Sequence, residues 1–167
     1  GRRYHDRDFP KSNWNVSRSM WFPFLRCFGM LRLNFLSDVM ILGWAGVGGG
    51  SLGYAGTLLE PPSAFFNNPQ WSEMKDWEAV LAPHFRTARH MLGVQRVKDL
   101  SPADEIMRDV AESLDCRDTF RLQDVGVFFG EPEITVPDPY FDGRGPERCG
   151  CRLCGGCMVG CRYNAKN

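Results

Sequence analysis

The segment Val47-Gly48-Gly49-Gly50-Ser51-Leu52-Gly53 carries four glycines in seven residues and runs on through Tyr54-Ala55-Gly56-Thr57. Gly48, Gly50 and Gly53 occupy the first, third and sixth positions of the dinucleotide-binding glycine pattern. That pattern is meaningful when a strand precedes it, a helix follows, and a second strand ends in an acid about 20 residues on. Residues 39–42 supply an apolar, β-leaning run ahead of the glycines. Behind them Pro61-Pro62 interrupts, the next segment has a helical pattern, and Glu73 falls inside it, so a self-contained nucleotide-binding βαβ unit is excluded. What survives is a strand leading into a loop whose backbone can approach a flat or anionic ligand. Its amides can donate to phosphate or to an electron-rich heterocycle.

The same segment settles the membrane question. Residues 39–59 hold no charge and are long enough to span a bilayer. Seven of them are glycine, at a cost on the order of 7 kcal/mol of helix propensity against alanine. No membrane span is expected. Over all 167 residues, 20 basic side chains balance 20 acidic ones, which argues against a dedicated nucleic-acid binder or a polybasic membrane-surface protein. Residues 1–38 do interleave aromatics with basic residues, but seven basic against three acidic is also the mark of buried rings with snorkelling arginines, and no nucleic-acid partner is expected. Residues 1–10 show no cationic start followed by an apolar core, so no signal peptide is visible in them, and with no methionine at position 1 the true start is expected to lie upstream.

Downstream the period changes to helical. Residues 71–82 read as one helix, and Pro83 suits the first turn of a second, closing at Gly93 with Leu81, Phe85, Ala88 and Leu92 on one face. His84 and His90 read as polar surface residues of that helix. Ser101-Pro102-Ala103-Asp104 is a capping box with proline at the first helical position, and Ile106, Val110 and Leu114 continue an apolar stripe. Residues 125–129 read as a buried strand. Residues 131–148 form a long proline-containing loop with only residues 134–136 strand-like, and loops of that length usually cover or line something.

Five of the seven cysteines crowd into residues 149–161. Cys151, Cys154, Cys157 and Cys161 have the spacing C-x2-C-x2-C-x3-C used for four-iron clusters, although Arg162 stands where proline usually follows. Cys149, Cys116 or Cys27 are alternative fourth ligands. A 4Fe-4S cluster, a tetrahedral zinc site and a metal-free cysteine-rich turn are the three readings. Thiols this close together are poor disulfide staples and suit a reducing, cytoplasmic compartment.

Several of these stretches carry a family resemblance. Val47 to Leu52, then Tyr54-Ala55, Thr57-Leu58 and Pro61-Pro62, resemble the flavin-side loop of the glucose–methanol–choline (GMC) oxidoreductases, in their cholesterol-oxidase-like branch. Gly1-Arg2-Arg3 is similar to the segment after the family's second strand. Asp76-Trp77, Leu81-Ala82-Pro83-His84, Thr87-Ala88-Arg89 and Met91-Leu92-Gly93-Val94 resemble its following helices. Pro137-Asp138-Pro139-Tyr140-Phe141 and the closing Gly160-Cys161-Arg162-Tyr163-Asn164-Ala165-Lys166-Asn167 also match. The family's first glycine fingerprint and its C-terminal histidine base have no counterpart, so the chain is expected to be a central fragment without turnover of its own. Gly56 stands where relatives often carry asparagine, and Gly53 where they carry a larger apolar residue.

The resemblance implies an α/β fold: a partial FAD-binding, Rossmann-like domain with an inserted helical and β substrate region. Residues 1–60 would belong to the FAD-binding domain, 61–148 to the substrate side, and 149–167 to a cysteine-rich return. It implies oxidation of the CH–OH group of a sterol-like or other lipid alcohol, with hydride passing to FAD and then electrons to dioxygen or another acceptor. Gly48, Gly49, Gly50 and Ser51 would contact FAD through backbone and hydroxyl, with Tyr54, Ala55 and Thr57 beside the isoalloxazine. The rival readings are an iron–sulfur electron-transfer module and a non-catalytic flavin-binding module.

Overall fold

The structure, a computed structural model, describes residues 2–167. Gly1 of the Gly1-Arg2-Arg3 match lies outside them. The chain divides into two compact units, one formed by Gly1–Gly56 with Val127–Asn167 and the other by Thr57–Gly126. The described residues are mixed α/β, with helices and four separate two-stranded antiparallel sheets among them.

In the first unit a single helical turn, α1 (Val16–Ser19), precedes a short hairpin of β1 (Trp21–Phe22) and β2 (Cys27–Phe28). A longer hairpin follows, β3 (Leu31–Phe35) against β4 (Met40–Trp44), in the register Leu31↔Trp44 through Phe35↔Met40. The apolar run expected as a strand is thus β4, displaced by a residue or two, and it delivers the chain into the glycines. Gly29 lets the two hairpins close: a Cβ there would strike the backbone of Ser19, and its amide donates to Met20 O at 2.8 Å. Phe9, Met30, Leu31 and Val159 form the core, with Tyr4, Met20, Trp44 and Leu52 packed against it. Residues from both ends of the sequence therefore meet under the glycine loop.

In the second unit α2 (Ser63–Phe66) leads to a 16-residue helix, α3 (Trp77–Leu92). Asp76 caps it by accepting the Ala79 amide at 3.0 Å, and Gly93 ends it in the left-handed region (φ 60°). Pro83 does not start a second helix. It lies inside α3, where it forgoes one ladder bond, and residues 71–74 form turns instead. Phe66, the buried anchor of α2, packs edge-on to Phe85 of α3. The capping box forms as expected in α4 (Pro102–Ser113): the Ser101 amide donates to Asp104 Oδ2 at 2.8 Å and the Asp104 amide to Ser101 Oγ at 3.3 Å. Its apolar stripe is not covered within the structure, for Ile106 and Leu114 stay more than three-fifths exposed.

The strand expected at residues 125–129 is shorter. Between α3 and α4, β5 (Gln95–Arg96) pairs with β6 (Asp124–Val125), and Val125 also bridges Thr57. Val127 bridges Lys166 in the first unit. There β7 (Thr135–Val136) pairs with β8 (Arg148–Cys149), closing the long loop between them. Asp138 ties that loop down by accepting the amides of Tyr140, Phe141 and Gly145 at 3.2, 2.7 and 3.0 Å. Burial pushes its pKa up, but the three amides and nearby Arg148 outweigh that and hold the carboxyl below its ordinary range.

Candidate functional site

The glycine loop is one 3-10 turn, Gly49–Leu52, entered through two left-handed glycines, Gly48 (φ 108°) and Gly49 (φ 55°). Side chains are strained at such angles, which is the local reason for glycine at both positions. Turn bonds run from the amides of Gly49, Ser51 and Gly53 to the carbonyls of Gly46, Gly48 and Gly50. The amides of Gly48 and Gly50 stand outside this set. Ser51 Oγ donates back to Gly48 O at 2.8 Å, which leaves its lone pairs free to accept. No atom lies within 4 Å of where a Cβ would sit on Gly49 or Gly50, so one side of the loop faces open space.

Gly53 shows the opposite constraint. It is buried, and a Cβ there would enter the indole of Trp44, the last residue of β4. Trp44 Nε1 is itself buried and has no hydrogen-bond partner. That donor is sealed on the core side of the turn, so what the open side offers is bare backbone at Gly49 and Gly50, an approach suited to a flat ligand.

The residue that secures the loop is one that sequence reasoning did not single out as a site residue. Lys166 is 6% exposed, and its ammonium donates to Leu52 O at 3.2 Å, Tyr54 O at 2.8 Å and Cys157 O at 3.0 Å. It also lies over the Tyr54 ring, 4.6 Å from the centroid. Burial lowers its pKa, opposed by the neighbouring Cys157 and Cys161. Burial also raises the Tyr54 hydroxyl, against the pull of Arg148. The loop carbonyls on either side of Gly53 are thereby fastened to the cysteine run. The available signal was the place of Lys166 in the closing match. A lone lysine in sequence carries no mark of burial.

Of the seven candidate flavin residues, Gly48, Gly49, Gly50, Ser51, Tyr54 and Ala55 are gathered in the first unit. Thr57 opens the second, where its backbone bridges Val125.

The cysteine run folds as a tight turn closed by a 3-10 turn at Cys157–Val159. Gly160 (φ 91°) follows, against the ring of Phe9, where a Cβ would collide. Cys151 Sγ accepts the Leu153 amide at 3.4 Å and Cys161 Sγ the Ala165 amide at 3.3 Å. Cys154 is exposed, and all seven cysteines are free thiols. Burial raises the Cys151 and Cys157 thiols above their ordinary range. Among the described residues no group of three or more His, Cys, Asp or Glu is arranged to hold a metal ion, so the cluster expectation for Cys151, Cys154, Cys157 and Cys161 finds no support. Two of the four sulfurs, those of Cys151 and Cys161, are engaged by backbone amides. Among the same residues no helix is long and apolar enough to cross a membrane.

Compared with known proteins, the chain is 49% identical over its whole length to the cholesterol oxidases of Mycobacterium tuberculosis strains CDC 1551 / Oshkosh and ATCC 25618 / H37Rv. It is 42% identical, again over its whole length, to the cholesterol oxidase of Acinetobacter baumannii. The match covers 30% of the Mycobacterium proteins and 31% of the Acinetobacter one, so the chain spans about 30% of the length of these relatives. No family model and no solved structure matches it.

Proposed function

We propose that this chain, homologous from end to end to cholesterol oxidases, is the flavin-loop portion of an FAD-dependent oxidoreductase. The whole protein would oxidise the CH–OH group of a sterol-like or other lipid alcohol and pass the electrons to dioxygen or another acceptor. The end-to-end homology carries the reading. FAD supplies the hydride acceptor, which no side chain can provide.

The chain's own part is to hold and orient. Gly48, Gly49 and Gly50 offer a backbone without side chains to an approaching ligand, and Ser51 offers a hydroxyl. Tyr54 and Ala55 would flank the isoalloxazine. These features fit a planar cofactor with anionic phosphates at one end and ring acceptors at the other. Assignment of this unit to a Rossmann-like FAD-binding domain, and of the protein to the cytoplasm, belongs to the same proposal; seven free thiols accord with a reducing compartment.

The test uses the full-length protein that contains this chain. It should purify with bound flavin, bleach on addition of a 3β-hydroxysterol, and lose flavin retention when Gly50 is replaced by Val. A protein that holds no flavin, or holds it equally well with Gly50→Val, would sink the reading.

A further inference from the structure

Beside the glycine segment, where the Val47 amide donates to Arg2 O at 2.9 Å, the first unit carries an open cleft of about 590 Å³ whose lining includes Arg2, Arg7, Arg18, Arg26 and Arg162, with Asp8 as the one acid. No residue of Gly49–Leu52 takes part. Charge over the chain is balanced, 20 against 20, so this concentration is local and not a general basicity. Among the described residues none of the five arginines has a carboxylate within 4.0 Å. Asp8 is already engaged, accepting the His5 amide at 3.0 Å. That bond, with the charges of Arg2, His5 and Arg7, holds its carboxyl below the ordinary range.

Three of the guanidiniums are anchored by backbone carbonyls. Arg162 donates to Arg7 O at 2.8 Å and to Phe9 O, Arg18 to Arg7 O at 3.5 Å, and Arg2 to Phe28 O at 3.2 Å. A guanidinium has five N–H donors, so each keeps several unspent. Among the described residues the Arg7 and Arg26 guanidiniums donate no hydrogen bond, and Arg7 acts on Asp8 through its charge alone. Arg26 closes the turn between β1 and β2 with a left-handed backbone (φ 56°).

Five like charges around one cleft repel one another and are relieved by an anion. Guanidinium forks match the paired oxygens of a phosphate better than a point charge does. We propose that this arginine-lined cleft is a binding site for a phosphate-bearing anion, separate from the glycine loop. The group would belong either to a small phosphate ester or to a phospholipid headgroup. The cleft's volume lies within the range of small-molecule sites, and the inference stands whether or not the glycine loop binds flavin.

Calorimetric titration of the protein with inorganic pyrophosphate, with and without saturating FAD, tests it. One site is expected, with affinity falling as salt rises from about 50 to about 200 mM and unchanged by FAD. The double variant Arg7→Gln/Arg26→Gln removes the two guanidiniums that hold no carbonyl, and its fold is checked by circular dichroism. It should bind about tenfold more weakly or worse. Arg26→Lys, which keeps the charge and loses the fork, should fall between. No binding, binding indifferent to both variants, or displacement by FAD would each overturn the proposal. Co-sedimentation with phosphatidic acid vesicles but not with phosphatidylcholine vesicles, abolished in the double variant, would assign the phosphate to a lipid. Pyrophosphate binding without vesicle binding would assign it to a soluble ester.

Discussion

The two units hold their irregular segments in place by opposite means. In Thr57–Gly126 the marked devices are short in sequence: Asp76 caps three residues ahead, Gly93 ends the helix it follows, and Ser101 and Asp104 bond each other. In the glycine-loop unit the decisive bonds join distant residues. Lys166 reaches Leu52 and Tyr54, 114 and 112 positions away, and Arg162 reaches Arg7 across 155. A local device stabilises its own turn and little else. A buried cation shared by three carbonyls makes two remote segments fold or loosen together.

The largest effect is therefore expected at Lys166. Lys166→Met fills the space but strands three carbonyls that shared one donor, at a cost of about 3 kcal/mol. Urea unfolding should register that loss, and hydrogen exchange should show residues 48–56 and 157–161 losing protection together. Equal protection in variant and parent would break the contrast between the units. Next comes Gly53→Ala, whose methyl would enter the Trp44 indole, at about 2 kcal/mol of overpacking. The cycle with Trp44→Leu sharpens the point: the smaller side chain should make the Gly53→Ala penalty nearly vanish, and two simply additive penalties would count against direct contact.

What was legible in the sequence follows the same division. The capping box and the Gly93 stop rest on backbone conformation within a few residues, and both could be reasoned out from neighbours alone. Pro83 was misplaced because its preference for a first turn is a local rule, and the packing of Phe66 against Phe85 favours carrying the helix through it. The Lys166 clamp was not legible, since a charged residue reads as exposed until the fold supplies three carbonyls to it. The cysteine spacing suggested ligands, but spacing cannot say that Cys151 and Cys161 accept backbone amides and that Cys154 points to solvent.

The second unit also has a longer-range charged device, and it is expected to matter less. Asp124 receives Arg89 at 3.0 Å and Arg96 at 3.2 Å, while Arg89 also reaches Glu60. Burial raises the Asp124 carboxyl, but the two arginines overcome that and hold it below its ordinary range. A carboxyl depressed on folding stabilises the fold above its unfolded pKa, and that contribution fades as pH falls through the folded value. Asp124→Asn should cost about 1 kcal/mol at neutral pH, since both arginines are substantially exposed. The difference from the parent should shrink in urea titrations taken at successively lower pH below about 4. A difference that stays constant down to strongly acidic pH would show that charge is not what the pair contributes.

The smallest effect should be Ser101→Ala. It removes the oxygen that accepts the Asp104 amide, at about 0.5 kcal/mol, the low end for a lost cap. Asp104 would still accept the Ser101-position amide, so half the box remains. The carboxyl of Asp104 is held below its ordinary range first by the Ser101 hydroxyl and then by that amide. The variant should therefore raise the Asp104 pKa, which side-chain carbon shifts read by NMR would register. Because the device is local, exchange protection should fall in the first turn of Pro102–Ser113 and stay unchanged across residues 48–56. Lost protection at the glycine loop would mean that even a surface cap is felt across the chain, and the distinction between local and remote fastening would have to be given up.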